Sequence, residues 1–275
     1  MNRNDVYQIL AARGLKPNRR LGQNFLIDGK IVRRIAETVA PINGTVLEIG
    51  PGLGSLTHTL AASVRHLILI EIDAGYVSYL TETFGSHQNI HIIHSDILRM
   101  KKLPYCDAVV SNLPYYCASE ILFRTMDASP KRITVMVQKE MAERIAATPG
   151  SPSYGALTLS VAARYTVQDH FDVGKNAFYP RPDVDSTVLV LDLQERPKIE
   201  TNDLDNFRML VKTLFWGRRK TVRTCLVSSP HISIARDDAT RILESVSIDP
   251  NERGEKLTLD EYRTLLQKMK EQELI

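Results

Sequence analysis

The residues with the most specific chemistry are Asn112-Leu113-Pro114-Tyr115, which follow a run of β-forming residues. A planar exocyclic amine is a poor nucleophile because its lone pair is delocalised into the ring. The Asn112 side-chain oxygen and the carbonyl of Leu113 or Pro114 could accept its two hydrogens, moving the nitrogen toward tetrahedral geometry. Tyr115 would stack on a base flipped out of its helix. Since Asn and Pro also favour ordinary turns, the residues that precede this tetrapeptide decide its meaning.

A glycine-rich loop, Gly50-Pro51-Gly52-Leu53-Gly54, follows the first β-like run. Glycines at Gly50 and Gly52 allow the backbone to turn tightly and approach a bound cofactor closely. The dinucleotide fingerprint G-x-G-x-x-G would need glycine at position 55, which is Ser55. The spacing G-x-G-x-G, with Glu48 two residues before it, is instead typical of S-adenosylmethionine-dependent methyltransferases, although glycines also cluster in ordinary β-to-α turns.

Two further acids follow the next two β-like runs. Glu71 lies 21 residues after Gly50, where a carboxylate can accept hydrogen bonds from both ribose hydroxyls of a nucleoside. Asp96 follows the third run, where it would meet the exocyclic amine of the cofactor's adenine. Asp73 and Asp96 could also simply cap helices. Suitable groups at three successive strand ends predict a cofactor site at one edge of a sheet.

The elements that must position these groups alternate between β and α patterns. Each β-like run is rich in Val and Ile and precedes a possible helix, which predicts a mostly parallel, Rossmann-like sheet with helices on both faces. Two prolines force the segment 177–186 into an extended loop. The predicted strands are 45–50, 66–72, 89–95, 106–112 and 132–138, with two later strands near 165–173 and 186–193 that extend the sheet.

After Arg196-Pro197 the periodicity is helical only. Thr258 followed by Glu261 predicts a capping box at the start of the last helix. We therefore predict an α/β catalytic domain over 1–198 and a small all-helical domain over 199–275. A length of 275 residues suits one large domain with an appendage, since single domains average about 150 residues.

The net charge of +3 conceals an uneven distribution. Residues 1–34 and residues 207–225 each carry +6, so the rest of the chain carries −9. Two basic segments on an acidic body make a polyanionic partner plausible, although short basic runs are often merely solvated faces. No apolar run approaches the roughly 18 residues of a membrane span, and the first residues are too polar for a secretory signal. The three cysteines form no CxxC pair, so we expect a cytoplasmic protein with no metal.

Seven stretches together resemble the rRNA adenine dimethyltransferase family, whose members dimethylate two adjacent adenosines near the end of small-subunit rRNA. They span nearly the whole chain in order, with minor local departures such as Ser55 and Ile97. These stretches are LGQNFL (21–26), VLEIGPGLGSLT (46–57), IEID (70–73), SNLPYY (111–116), VQKEMAERIAATPGSPSYGALT (137–158), AFYPRPDVDS (177–186) and LFWGRRKTVR (214–223).

The resemblance implies that Asn24, Leu26, Gly50, Glu71, Asp96 and Asn112 form the cofactor site, with Asn112 also holding the target amine. Tyr115 and Phe178 would sandwich the adenine, because the extended loop brings Phe178 there. The helical tail would grip small-subunit rRNA within a pre-30S particle, and we expect a monomer with no membrane contact. The expected RNA-contacting residues are Arg19, Arg20, Arg218, Arg219, Lys220 and Arg223.

Two alternatives share this pattern: the related macrolide-resistance family that methylates large-subunit rRNA, and a non-catalytic ribosome assembly factor that keeps the fold for binding. A dehydrogenase fits the glycine spacing less well. Among single residues, Trp216 is expected in the core, and Lys139 is a candidate for facing RNA. His91 and His94 fall in a predicted strand, where an offset of three points them to opposite faces, so they do not suggest a metal site.

Overall fold

A computed structural model describes residues 1–18, 22–39 and 42–275. The chain forms two compact units. The first comprises residues 1–142 and 167–193, and the second comprises residues 143–166 and 194–275. The two units therefore do not meet at the single predicted boundary after residue 198, because residues 143–166 group with the helical C-terminal part.

The first unit is built around a seven-stranded sheet in the described residues. Numbered in chain order, its strands are β2 (Thr45–Ile49), β3 (His66–Glu71), β4 (Ile90–His94), β5 (Ala108–Asn112), β6 (Arg132–Gln138), β7 (Tyr165–Val173) and β9 (Ser186–Leu193), while β1 (Phe25–Leu26) and β8 (Phe178–Tyr179) form a separate ribbon. The strand order in the sheet is β4-β3-β2-β5-β6-β9-β7. Neighbouring strands from β4 to β6 in this order pair in parallel, and β9 pairs antiparallel to β6.

The sheet confirms the α/β prediction and every predicted strand to within two residues at each end. Its central strands are buried on both faces, as their Val- and Ile-rich runs require, whereas β4 is only partly buried because it lies at the edge. The helices of this part of the chain are α1 (Arg3–Ala12), α2 (Gly29–Val39), α3 (Thr57–Leu60), α4 (Ala74–Phe84), α5 (Ala118–Asp127) and α6 (Lys139–Ile145).

A two-stranded ribbon was not anticipated from the sequence. The strand β1 (Phe25–Leu26) pairs antiparallel with β8 (Phe178–Tyr179), and Ile27 N donates to Ala177 O at 2.8 Å. Two-residue strands carry no periodicity, so no sequence pattern could have identified them. The ribbon joins segments about 150 residues apart in the chain and fixes both next to the sheet.

The second unit is helical, with its own apolar core. Thr258 and Glu261 form the predicted capping box at the start of its last helix, with Thr258 N donating to Glu261 Oε2 at 2.7 Å. Tyr154, Leu159 and Ala163 belong to this core, which explains why residues 143–166 are part of the unit. Its helices are α7 (Ala156–Ala162), α8 (Leu204–Phe215), α9 (Val222–Ser228), α10 (Arg236–Ser245) and α11 (Leu259–Glu271).

A search of the described helices found none with the length and apolar character needed to cross a membrane.

The membership of residues 143–166 in the helical unit can be tested at Tyr154, which is 3% exposed and donates its hydroxyl to Leu257 O at 2.9 Å. We expect Tyr154→Phe to lower the free energy of unfolding by about 1 to 2 kcal/mol, because a buried carbonyl loses its partner. Hydrogen exchange should accelerate in α8 and α11. The exposed Tyr7→Phe is the matched control and should change stability by less than about 0.5 kcal/mol. Accelerated exchange confined to the β-sheet would contradict the assignment.

Candidate active site

A cleft lies at the carboxyl ends of the neighbouring strands β3, β2 and β5, where ligands bind in open parallel sheets. It encloses about 750 Å³ of empty space, including its open mouth. Its walls come from the segments that follow these strands and from the segment 22–26. The lining residues are Gly22, Gln23, Asn24, Phe25, Leu26, Glu48, Gly50, Pro51, Gly52, Ser55, Leu56, Glu71, Ile72, Tyr76, Asn112, Pro114 and Tyr116.

The glycine loop forms one wall, and two of its glycines are needed for geometric reasons. Gly52 has φ +55°, and a Cβ there would lie 3.1 Å from the Phe25 ring. Gly54 has φ +75°, and a Cβ there would lie 2.9 Å from the Phe84 ring. Any side chain would therefore combine a strained backbone with a steric clash. The loop leads into α3, which is a single turn rather than the long helix typical of dinucleotide sites.

Glu71 connects this loop to the end of β3. Its Oε2 accepts from Gly52 N at 3.0 Å, and its Oε1 accepts from Ile72 N and Asp73 N, each at 2.9 Å. The residue is 4% exposed. Burial raises the pKa of its carboxyl, while the three backbone N–H groups favour the ionised form and oppose that rise.

Glu48 is a second buried carboxyl at the cleft, only 2% exposed. Thr57 Oγ1 donates to its Oε2 at 2.7 Å. Burial, and to a lesser degree the nearby Glu71, raise the pKa of Glu48 to about 8, against the effect of the Thr57 hydrogen bond. Two acids in one buried region favour a positively charged ligand, because a cation would lower the cost of ionising both.

The Asn112 amide has a defined orientation. Its Nδ2 donates to Asn24 O at 2.8 Å, and since a backbone carbonyl only accepts, the atom in that place must be the nitrogen. Oδ1 is therefore the atom on the other side of the amide. Asn112 ends β5, beside Ser111, whose hydroxyl donates to Ile49 O at 2.7 Å and ties β5 to β2.

The aromatic candidates differ in their surroundings. Tyr115 is half-buried, and its hydroxyl forms a 2.6 Å hydrogen bond with Ser186 Oγ. Phe178 is 3% exposed and lies opposite Leu26 in the β1–β8 ribbon, within the apolar core. Neither residue lines the cleft as described, whereas Tyr116 does and is 60% exposed. Their stacking on a base therefore stays a prediction.

Six of the seven predicted cofactor residues line one cleft: Asn24, Leu26, Gly50, Gly52, Glu71 and Asn112. Asp96 is not among its lining residues. Its Oδ1 accepts from Leu98 N at 2.9 Å, capping a short 3-10 helix over Ile97–Arg99, and its Oδ2 lies 3.3 Å from Arg99 Nε. The structure thus places Asp96 in the capping role that the sequence also allowed.

Several residues at the cleft were absent from the predicted site. Glu48 stands two residues before the glycine loop, and that spacing is the signal that could have identified it as a site residue. Gln23 and Tyr76 hydrogen-bond to each other over a separation of 53 residues, at 3.0 Å between Tyr76 Oη and Gln23 Oε1. No local signal in the sequence connects two such distant positions.

The predicted RNA-contacting residues differ in their surroundings, and two of them are not described by the structure. Arg19 and Arg20 lie outside the described residues. Arg218 pairs with Glu255 at 3.1 Å and donates to Pro152 O at 2.9 Å, so it has a structural role in the helical unit. Arg219 and Lys220 are exposed. Arg223 Nη2 donates to Asn251 Oδ1 at 3.0 Å.

One further expectation is wrong. Trp216 does not lie in the core: it is 43% exposed, with Lys220 Nζ 3.8 Å from its ring centroid. It lies just past α8, at the C-cap position of that helix. Lys139 pairs with Asp172 at 2.7 Å and both side chains are exposed, so the contact of Lys139 with RNA stays a prediction. Within residues 1–18, 22–39 and 42–275, no cluster of His, Cys, Asp or Glu has the form of a metal site.

The buried carboxyl of Glu48 predicts a pH-dependent stability. Because its pKa rises from 4.5 to about 8 on folding, the native state keeps a proton that the unfolded chain releases, so stability falls as pH rises through this interval. Glu48→Gln removes this loss. The free energy of unfolding of Glu48→Gln, relative to that of wild type, should rise by about 1.4 kcal/mol per pH unit across the interval. Urea unfolding of the ligand-free proteins at pH 5.5 and 7.5 measures this difference. The exposed Glu37→Gln is the control, and parallel pH profiles for Glu48→Gln and wild type would refute the prediction.

Comparison with known proteins identifies the family. A family model described as "Ribosomal RNA adenine dimethylase" matches residues 14–269. The "Ribosomal RNA small subunit methyltransferase A" of Shouchella clausii is 39% identical over 271 residues, covering 94% of this chain and 91% of its own. The protein of the same name from Alkaliphilus oremlandii is 36% identical over 261 residues, covering 91% of both chains.

Solved structures agree with the fold. A dimethyladenosine transferase from Plasmodium falciparum aligns with a TM-score of 0.80 at 24% identity, covering 91% of this chain and 98% of its own. The 23S rRNA methyltransferase ErmE aligns with a TM-score of 0.66 at 26% identity, covering 90% and 100%. On the family match and these identities, the chain belongs to the family of ribosomal RNA adenine dimethylases.

Proposed function

We propose that this protein uses S-adenosylmethionine to dimethylate the exocyclic amines of two adjacent adenosines in the 3′-terminal hairpin of 16S rRNA, during small-subunit biogenesis. The observation that carries the proposal is the Asn112 amide, which Asn24 O orients at 2.8 Å beside a cleft that contains two buried carboxyls. Such an amide can accept a hydrogen bond from a planar amine next to a bound cation.

The choice of small-subunit rRNA rests on the relatives. Proteins named for the small subunit are 36 to 39% identical over more than nine-tenths of each chain, whereas the 23S rRNA methyltransferase is 26% identical. The large-subunit enzyme is therefore the second candidate. Methyl label entering purified small subunits, but not naked large-subunit RNA, supports the first; the reverse supports the second.

The cleft suits S-adenosylmethionine on charge and shape. The cofactor is a sulfonium cation, and Glu48 and Glu71 are two buried carboxyls whose ionisation a bound cation would favour. Gly50 and Gly52 have positive φ values and no side chains, so the backbone of the loop lines the cleft directly. When bound, this cofactor supplies an electrophilic methyl group. The residues that would hold it are Asn24, Leu26, Gly50, Gly52, Glu71, Asp96 and Asn112.

The acceptor amine would be held by two oxygens at the end of β5. Asn112 Oδ1 accepts one of its hydrogens, and the carbonyl of Leu113 accepts the other. Pro114 O is the weaker candidate because it already accepts from Cys117 N at 3.3 Å. With both hydrogens held, the nitrogen would move toward tetrahedral geometry, and its lone pair would be localised on the nitrogen instead of delocalised into the ring. It would then face the methyl group of the cofactor, from which the thioether would be the leaving group. No dedicated general base is required, because the methylated amine loses its proton readily.

Tyr115 and Phe178 would sandwich the flipped adenine. The hydroxyl of Tyr115 forms a 2.6 Å hydrogen bond with Ser186 Oγ, which fixes the position of the outer end of the ring. Phe178 is largely buried, so its ring would contact the base along the small part that it exposes. The monomethylated adenosine would rebind in the same place for the second transfer.

The helical region would bind the ribosomal particle. In this proposal the α/β unit is catalytic and the helical unit, residues 143–166 and 194–275, docks on small-subunit rRNA in a pre-30S particle, with the protein acting as a cytoplasmic monomer. Arg219 and Lys220 would contact phosphates, because both are exposed, and Trp216 beneath Lys220 adds an aromatic surface to the same patch. Arg19, Arg20, Arg218 and Arg223 complete the proposed RNA-contacting set.

The catalytic role is tested with Asn112→Asp, which preserves shape but cannot donate to Asn24 O. We expect kcat to fall by about 10² to 10³, as when an oriented hydrogen-bonding group is removed from an active site. Methyl incorporation into unmethylated small subunits, with mass spectrometry of the rRNA, measures this. The exposed Asn202→Asp is the matched control. Full methylation by Asn112→Asp and by Asn112→Ala would favour an assembly factor or a different chemistry.

The cofactor is tested by thermal shift. S-adenosylhomocysteine at 100 times its Kd should stabilise the folded protein by about 2.7 kcal/mol. Stabilisation by NADH in its place would instead indicate a dehydrogenase.

The RNA-docking role is tested by changing two exposed charges of this patch. Arg219→Ala/Lys220→Ala should flatten the dependence of log K on log salt by about 1.4 to 1.8, at ~0.7 to 0.9 per phosphate contact. Arg218 is left intact because its ion pair supports the helical unit. The matched control is Lys101→Ala/Lys102→Ala, an adjacent exposed pair outside both basic segments. Equal slopes for the two double variants would identify residues 219 and 220 as an ordinary solvated face.

A further inference from the structure

The segment 22–26, here called the strap, supplies five consecutive residues to the wall of the cleft. Its C-terminal end is fastened by backbone pairing, because Phe25 and Leu26 lie opposite Tyr179 and Phe178 in the β1–β8 ribbon. Its N-terminal half belongs to no helix or strand, so beside the backbone hydrogen bond from Gln23 N to Asn18 O, at 3.3 Å, side-chain contacts help to fix its position.

Gln23 makes those contacts. Its Oε1 accepts from Tyr76 Oη at 3.0 Å and from Asn18 N at 2.7 Å, and its Nε2 donates to Asp73 Oδ2 at 3.4 Å. Tyr76 is 1% exposed and sets its ring edge-on to Phe25, with centroids 5.6 Å apart. A buried hydroxyl needs a partner, so Tyr76 and Gln23 constrain each other.

Asp73 connects the strap to the opposite wall. Its Oδ1 caps α4 by accepting from Gly75 N at 2.9 Å, which leaves Oδ2 for Gln23. The backbone N–H of Asp73 donates to Glu71 Oε1 at 2.9 Å. Gln23 is therefore connected through Asp73 to Glu71, the carboxylate proposed to hold the cofactor ribose.

The strap also reaches the proposed catalytic amide. The next residue, Asn24, accepts from Asn112 Nδ2 through its backbone carbonyl. A displacement of the strap would move that carbonyl and release the amide, which could then rotate and present Nδ2 where Oδ1 is needed.

We propose that Gln23 is a positioning residue that latches the strap to Tyr76 and Asp73 and thereby keeps the Asn24 carbonyl where it orients the Asn112 amide. The latch connects the proposed cofactor side of the site to its catalytic side, because Gln23 contacts Asp73 next to Glu71, and the adjacent Asn24 carbonyl accepts from Asn112. This inference rests on the proposed methyl transfer for its catalytic readout, but not for its binding readout.

The test exchanges donor and acceptor across the latch. Gln23→Glu faces Asp73 with a second carboxylate, and Asp73→Asn faces the Gln23 amide with a second amide nitrogen, while asparagine still caps α4. Each single variant should lower kcat about tenfold, the value of one hydrogen bond to a charged group, with the KM for RNA changed less than about twofold. The double variant Gln23→Glu/Asp73→Asn restores one donor facing one acceptor and should recover kcat to within about threefold of wild type.

Two further measurements separate positioning from general stability. Tyr76→Phe should lower kcat, and combined with Gln23→Ala it should add little further loss, because both remove the same latch. The exposed Gln88→Glu is the matched control and should behave as wild type. Multiplicative losses in the donor–acceptor double variant, or an unchanged kcat in Gln23→Glu and Gln23→Ala, would overturn the proposal.

The binding readout distinguishes failure of this inference from failure of the proposed function. The thermal shift produced by S-adenosylhomocysteine should shrink in each single variant and return in the double variant, whether or not the protein methylates rRNA. If wild type methylates no rRNA but this pattern holds, the latch stands and the proposed reaction falls. If wild type is active and the pattern is absent, the latch falls alone.

Discussion

The Glu71 carboxylate is the contact on which the rest of the cleft depends. It accepts one backbone N–H from the glycine loop and two from the turn after β3, so one buried group holds two loops in register. A buried backbone N–H group without a hydrogen-bond partner is costly, and the Glu71 side chain provides the acceptor that both loops need. The cofactor wall therefore exists because an ionisable side chain lies where a wholly apolar one could not satisfy these donors.

Parallel strand pairing explains why these groups meet at one edge. β3, β2 and β5 are adjacent in the sheet, so residues following each carboxyl end converge although the strand ends are 22 to 63 positions apart in the chain. The antiparallel β1–β8 ribbon then adds a segment from near the start of the chain. Together these pairings place a carboxylate, a glycine loop and an oriented amide around a single opening.

The charge of the chain follows the same division. The acidic groups nearest the cleft are buried and shifted toward the protonated form, as Glu48 illustrates, whereas Arg219 and Lys220 of the helical unit are exposed. Arg218 shows that a basic run is not uniform, because one of its members is used in an ion pair with Glu255. A count of charges cannot separate cations that hold the fold from those available to a polyanion.

Sequence alone determined the α/β order, the glycine loop, the Glu71 and Asn112 positions, and the capping box at Thr258, because each depends on local spacing or on the ends of periodic runs. It did not determine the membership of residues 143–166, the burial of Phe178, the exposure of Trp216, or the contact of Gln23 with Tyr76. Those features arise from packing between segments far apart in the chain, where no periodicity records which side chains will meet. Tertiary structure also showed that Asp96 caps a short 3-10 helix, since its Oδ1 accepts from Leu98 N, while its contact with the cofactor's adenine stays a prediction.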